Sequence, residues 1–266
     1  MEPASKRPLV LLSNDDGYTS TGIRTMRDAL SARADVVIVA PESEQSAASH
    51  ALTLHHPLRL REAEPGVFVV NGTPADCVYV ALRSDRVVPR APDVVVSGLN
   101  HGLNLGQDVF YSGTVAAARE AALRGIPALA TSAHPRADFA AAAKMCAAIA
   151  MTLAGTEPAG PRRAPLLNVN VPRAWNGELR PTRLGARIYE EIVEFRRDPR
   201  GREYFWIGGP GVRHEHDPGS DTEAYDAGAA SITALLLDLT DPSYAELLTG
   251  IAAAAASAST NTNREG

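Results

Sequence analysis

An α/β fold, a mostly parallel sheet flanked by helices, is the architecture this chain predicts, on three observations. Short apolar runs alternate with segments of helical spacing through the first two thirds, which is how βαβ units read in sequence. The runs are brief and punctuated by Gly, Pro, Asn, Asp and Ser, as strands buried between two helical layers are. With 266 residues the chain can bury a sizeable core, as one large domain or two small ones.

Residues 9–12 are the first strand, an apolar run that stops at Ser13-Asn14-Asp15-Asp16-Gly17. Residues 22–32 form the first helix, with Ile23, Met26 and Leu30 on one face. Residues 36–40 are a second strand, ended by Pro41, and Val67–Val70 a further one. Beyond it, Thr73 is placed as an N-cap and Pro74 as the first position of a helix that runs to about Leu82. Residues 93–96 read as a buried strand, and 114–123 as an Ala-rich helix closed by Gly125. Strands over 128–131 and Leu166–Val171 enclose a helix over 138–153.

From about Pro181 the pattern changes. Residues 186–195 and Glu203–Ile207 are rich in β-branched and aromatic residues, and Asp198-Pro199-Arg200-Gly201 between them has turn chemistry, which predicts a long hairpin arm. A two-stranded hairpin is marginal alone, so the arm should lie on a neighbour such as a partner subunit, with Tyr204 and Trp206 packed there. A loop over 208–220, a helix or turn over 222–227, a strand over 231–239 and a helix over 242–256 complete the order. Residues 257–266 have the composition of a frayed tail, and neither an internal repeat nor a true linker is visible.

Bulk properties exclude several classes. A net charge of −5 argues against a sequence-independent nucleic-acid binder. No apolar run approaches the ~20 residues of a membrane span, and residues 1–7 lack the order of a signal peptide. Cys77 and Cys146 are isolated and read as reduced packing residues. The expectation is a cytoplasmic protein with no nucleic-acid and no membrane partner.

Chemistry concentrates in three loops placed beyond strand ends, where parallel sheets build their ligand sites. The first holds Asp15 and Asp16, a dense negative charge that needs a cation or a hydrogen-bond network to balance it, with Gly17 to permit unusual torsions. The second, residues 41–50, repeats Ser43, Ser46 and Ser49. The third is Ser97-Gly98-Leu99-Asn100-His101-Gly102. Asp, Ser and Asn offer oxygen alone, a set suited to Mg²⁺ or Mn²⁺ rather than to structural zinc. Ser112-Gly113-Thr114 stands at the start of an Ala-rich helix, whose N-terminus is a seat for phosphate. A metal opposite such a seat implies metal-assisted phosphoryl transfer or hydrolysis, and no Walker-type motif points to ATP.

Six motifs then recur in a known order: Leu11-Leu12-Ser13-Asn14-Asp15-Asp16-Gly17; Pro41 with Ser46-Ala47-Ala48-Ser49; Gly72-Thr73-Pro74-Ala75-Asp76-Cys77-Val78; Val96-Ser97-Gly98-Leu99-Asn100; Asn104-Leu105-Gly106; and Tyr111-Ser112-Gly113-Thr114-Val115-Ala116-Ala117. Over roughly residues 8–245 the chain resembles the SurE family of stationary-phase survival proteins, metal-dependent nucleotidases. The resemblance implies a 5′-nucleotidase that hydrolyses nucleoside 5′- and 3′-monophosphates to nucleoside and phosphate with one divalent ion; the adjacency of Asp15 and Asp16 in turn favours attack by a metal-activated water over an aspartyl-phosphate route. It implies Asp15, Asp16, Ser46 and Asn100 as metal ligands, the two aspartates also being catalytic, with Asn14, Ser112, Gly113 and Thr114 toward the phosphate. It also implies a Rossmann-like core with a projecting β-hairpin and a C-terminal swapped segment, in homodimers or homotetramers. On that basis residues 1–180 are the catalytic core and 181–211 the arm. Residues 212–256 return to the core or to a partner subunit, and 257–266 are the tail.

The chain departs from the family pattern at Gln45 (commonly Arg), Ala47 (commonly Gly), His101 (commonly small) and Gln107 (commonly acidic). Simpler roles compete. Asp15 and Asp16 are also candidate helix caps, Ser46 a turn residue, Asn100 a left-handed turn residue and Ser112 a plain N-cap. Asp108 is expected to bind backbone amides of the Gly106 loop, and His101 is a candidate proton donor without a required role. Two rivals stand beside the enzyme: a receiver-like signalling domain, and an idle nucleotide-binding or assembly protein. The strand ending at Ser97 lacks the phospho-accepting Asp a receiver needs.

Overall fold

The structure is a computed structural model that describes residues 7–156, 164–189, 193–207 and 211–262. In chain order the first elements are β1 (Leu9–Ser13), α1 (Thr21–Ser31), β2 (Asp35–Pro41), β3 (Leu60–Glu64), β4 (Val67–Val70), α2 (Pro74–Leu82) and β5 (Val94–His101). A 3₁₀ turn (Gly106–Phe110), α3 (Gly113–Ala122), β6 (Ala128–Ala133), α4 (Phe139–Ala154), β7 (Leu166–Val171) and β8 (Leu179–Thr182) follow. Then come β9 (Arg187–Tyr189), β10 (Val193–Arg197), β11 (Glu203–Ile207), β12 (Val212–His214), α5 (Asp221–Asp226), β13 (Ala230–Ala234), a 3₁₀ turn (Pro242–Tyr244) and α6 (Ala245–Thr262).

A nine-stranded sheet runs β3-β4-β2-β1-β5-β6-β7-β13-β8. From β4 to β7 every neighbouring pair is parallel, while β3 and β13 run antiparallel to β4 and β7. β1 is buried along its whole length because both faces of the sheet are covered. Helices α1 and α4 cover one face and α2 and α3 the other. Val10, Leu12, Val94 and Val96 alternate onto the first face and pack with Ile23, Met26 and Leu30 of α1. The chain leaves β1 toward β2 on one side and builds β5, β6 and β7 on the other. The order therefore reverses between β1 and β5, the place where open α/β sheets bind ligands.

Several expectations need correction. β3 was not foreseen: its sequence, Leu-Arg-Glu-Ala-Glu, lacks an apolar run because it is a charged edge strand. Residues 97–101 are not a loop but the end of β5, which slips register against β6 between Ser97 and Asn100. The boundary expected at 180/181 falls inside β8, which is the sheet's last strand. The strand over 186–195 is two strands with 190–192 outside the described residues: β10 pairs with β11, and β9 with β12, which lies in the expected loop. β13 ends at Ala234, short of Leu239, and pairs with β7 of the same chain. The last helix continues to Thr262, into the expected tail, because after Gly250 no further Gly or Pro interrupts the Ala-rich run. The chain divides into two compact units, one ending at Leu235 and one from Leu236.

Candidate functional site

Beyond the carboxyl ends of β1 and β5 lies a cleft of about 470 Å³. Asp15, Asp16, Ser46, Asn100 and Ser112 all line it, together with Glu44, His101, Asn104, Asp108, Tyr111 and Tyr189. The chain reverses after Asp16 through Gly17, whose φ of +89° is the left-handed torsion expected there. Asp15 is almost fully buried, and the Thr114 hydroxyl donates to its Oδ1. Burial pushes its pKa up to about 6, offset in part by Thr114 and reinforced by the neighbouring charge of Asp16. Asp16 is also raised, chiefly by burial, while the His101 N–H donates to its Oδ2 at 3.1 Å and lowers it.

Ser112 is the N-cap of α3, its Oγ accepting from Val115 N–H at 3.0 Å. Gly113 is the first helical residue, and the helix approaches Asp15 so closely that a Cβ at Gly113 would lie 2.9 Å from the Cβ of Asp15. The hydroxyl and the backbone N–H of Thr114 both serve Asp15. The helix tip expected to face phosphate thus holds a carboxylate first. Of the residues expected toward the phosphate only Ser112 lines the cleft: Gly113 and Thr114 do not, and neither does Asn14, whose amide donates to Gly17 O at 3.0 Å and Ser20 Oγ at 2.9 Å. Its Oδ1 is buried without a hydrogen-bond partner among the described residues. Ser46 is exposed and donates to Glu44 Oε1 at 2.6 Å, and Asn100 Nδ2 donates to Gly102 O at 3.1 Å.

The donor set suits a hard cation. The lining gathers Asp15, Asp16, Glu44 and Asp108, and none of the described residues in it is Lys or Arg. Among the described residues no group of three or more His, Cys, Asp or Glu is arranged to hold a metal.

Other partners were not legible. Asp108 does not bind backbone amides: it pairs with Arg187 and accepts from Tyr189 OH at 2.6 Å. Gln107 Oε1 accepts from Arg187 N–H at 3.0 Å while its Nε2 donates to Arg187 O. An acid at 107 could not make that second bond. Tyr189, raised in pKa mainly by burial, brings the base of the arm into the cleft, and nothing in its sequence context marked it. Asn104, inside a quoted motif, donates its N–H to Asn170 Oδ1 at 2.7 Å and its Nδ2 to Ser132 Oγ at 2.7 Å, fixing the cleft wall on β6 and β7.

The sequence profile described as "Survival protein SurE" matches residues 10–191. The chain belongs to the SurE family. A protein named 5′-nucleotidase SurE from Sorangium cellulosum (strain So ce56) is 63% identical over 237 residues, 88% of this chain and 91% of that relative. Another of that name, from Anaeromyxobacter dehalogenans (strain 2CP-C), is 51% identical over 243 residues, 90% of this chain and 94% of its own. The crystal structure of the SurE protein from Aquifex aeolicus aligns with a TM-score of 0.79 at 37% identity, covering 92% of this chain and 99% of that one. The SurE fold is therefore shared along almost the whole length. Among the described residues no helix is long and apolar enough to cross a membrane.

Proposed function

We propose that this SurE-family chain is a divalent-metal-dependent phosphomonoesterase that hydrolyses nucleoside 5′- and 3′-monophosphates to nucleoside and phosphate. The relatives' printed name supports the activity, and one observation carries the site: Asp15, Asp16, Ser46, Asn100 and Ser112 line a single cleft at the reversal of strand order. Asp15, Asp16, Ser46 and Asn100 would hold one ion, Mg²⁺ or Mn²⁺. A divalent ion there supplies Lewis-acid stabilisation of the phosphate charge and acidifies a bound water. Asp15 is locked in orientation by Thr114 and Asp16 by the His101 amide, so neither carboxylate needs to reorganise during the reaction. Gly113 N–H, at the first position of α3, and Ser112 are the groups set to receive phosphoryl oxygens, with Asn14 acting from beneath the turn rather than from the wall. We read the transfer as going directly to water, since the two acids are adjacent and tied to separate partners. A phosphoaspartate trapped by acid quench would overturn that.

The same reading has a cytoplasmic homodimer or homotetramer, supported by free, buried Cys77 and Cys146 and by the exposed aromatic arm. The test is phosphate release from adenosine 5′-monophosphate with Mn²⁺, abolished by chelator and restored by added Mn²⁺. Asp16→Asn should lower kcat/KM by roughly 10²-fold or more, as loss of a preorganised charge-stabilising group does. A folded Asp16→Asn chain with full activity would remove that residue from the site.

A further inference from the structure

The loop that carries Ser46 adopts torsions that L-residues avoid. Ala47 and Ser49 have φ of +58° and +53°, a region that a side-chain-bearing residue enters only where contacts hold it. Those contacts can be named. Gln45 N–H donates to Asp15 O at 2.8 Å and Ser49 N–H to Tyr111 O at 3.0 Å. The Ser49 hydroxyl donates to Phe110 O at 2.7 Å. His50, where the loop ends, places Nε2 2.9 Å from Glu120 Oε2.

Glu120 is a carboxylate in the last turn of α3, 2% exposed and flanked by buried alanines. It does not line the cleft. A buried carboxylate persists when its oxygens are paired, and here Arg124, one turn on, takes Oε1 while His50 takes Oε2. The Arg124 guanidinium is itself seated over the Tyr79 ring, 4.5 Å from its centre. The same helix therefore touches both halves of the ion site: Thr114 in its first turn fixes Asp15, and Glu120 fixes the loop of Ser46.

We propose that His50, Glu120 and Arg124 form a strut that holds the Ser46 loop in its left-handed turn and sets Ser46 against Asp15 and Asp16 for a divalent ion. The inference rests on the reading of these residues as the ion's holders. His50 and Glu120 are positioning residues, acting through Ser46. Ala47 gives the strut its purpose in this chain: the residue carries a Cβ at a torsion that glycine would adopt freely, so the turn has to be imposed by contacts.

The experiment is Mn²⁺ titration calorimetry on the intact chain, beside kcat at saturating Mn²⁺ and thermal melting. His50→Ala leaves Glu120 paired with Arg124, so the chain should fold. Its Kd for Mn²⁺ should rise about tenfold, the scale for losing a group that orients a ligand, with kcat at saturation kept within about twofold. Glu120→Gln, which keeps an acceptor for His50, should give a smaller rise. Adding Ala47→Gly to His50→Ala should return Kd to within about threefold of the parent, because the torsion no longer has to be enforced. Parental Kd in both His50→Ala and folded Glu120→Gln, or no recovery with Ala47→Gly, would overturn the strut. Parental Mn²⁺ affinity in Asp16→Asn would instead overturn the ion site itself, so the two failures are told apart.

Discussion

Asp221 joins two segments of the cleft region with one side chain. Its Oδ2 accepts from Gly106 N–H at 2.9 Å and its Oδ1 from Gly185 N–H at 2.7 Å, tying the 3₁₀ turn beside the cleft to the approach to β9. Burial still raises its pKa above the usual 3.8, the amides offsetting only part of the effect. A raised carboxyl pKa means the folded chain holds the proton more tightly than the unfolded one. This contribution to stability is complete below pH 3.8 and is lost as pH rises through the folded value. Asp221→Asn has no such titration and leaves one amide without an acceptor, so it should cost about 1–3 kcal/mol at pH 7. Urea unfolding should show the gap between parent and variant widening as pH is lowered from neutral toward 4. A constant gap would assign Asp221 an ordinary pKa.

Helix α2 shows how an element can be read from its own residues. Thr73 Oγ1 accepts from Asp76 N–H at 3.1 Å, and Asp76 Oδ2 accepts from Thr73 N–H at 2.9 Å, a capping box around Pro74. The Thr73 hydroxyl also donates to Ala51 O at 2.7 Å. Thr73→Ala should therefore destabilise by about 1–2 kcal/mol, measured by denaturant midpoint at unchanged m-value. Such local signals made α2, β4 and β7 legible to the residue, since cap, proline and apolar run lie side by side in sequence. β3 and β12 were not, because a charged edge and a three-residue strand paired far along the chain leave no periodic trace. The site divides the same way. Asp15, Asp16 and Ser112 were placed by strand end and helix start. That Thr114 would turn to Asp15 depends on a tertiary neighbour, while the bonds of Asn14 to Ser20 and of Ser46 to Glu44 are local but set by irregular loop torsions that leave no sequence pattern. Glu120 lies just outside the quoted motifs, and its burial with His50 and Arg124 paired to it emerges only in the folded chain.

At the scale of the molecule, the arm is the surface in need of an explanation. β10 and β11 expose Phe195, Phe205, Trp206 and Ile207, the last 91% exposed, with Phe195 and Phe205 edge to face at 4.6 Å. A two-stranded ribbon so apolar would gain stability by lying on a second copy, as proposed above. Light scattering on the full chain should give the mass of two or four chains, and Trp206→Glu with Ile207→Asp should shift it toward one. A monomeric parent would refute the assembly. The sheet itself sets a further constraint, in time rather than space. β7 ends at Val171, but β13, the strand that closes its free side, ends at Ala234, and β8 has β13 as its neighbour in the sheet. During synthesis at about 5–20 residues per second, that side of β7 stays open for several seconds after it emerges from the ribosome. Until β13 arrives, that side presents a row of unpaired backbone N–H and C=O groups, so the nascent chain carries a template for a stray strand that only the finished sheet removes.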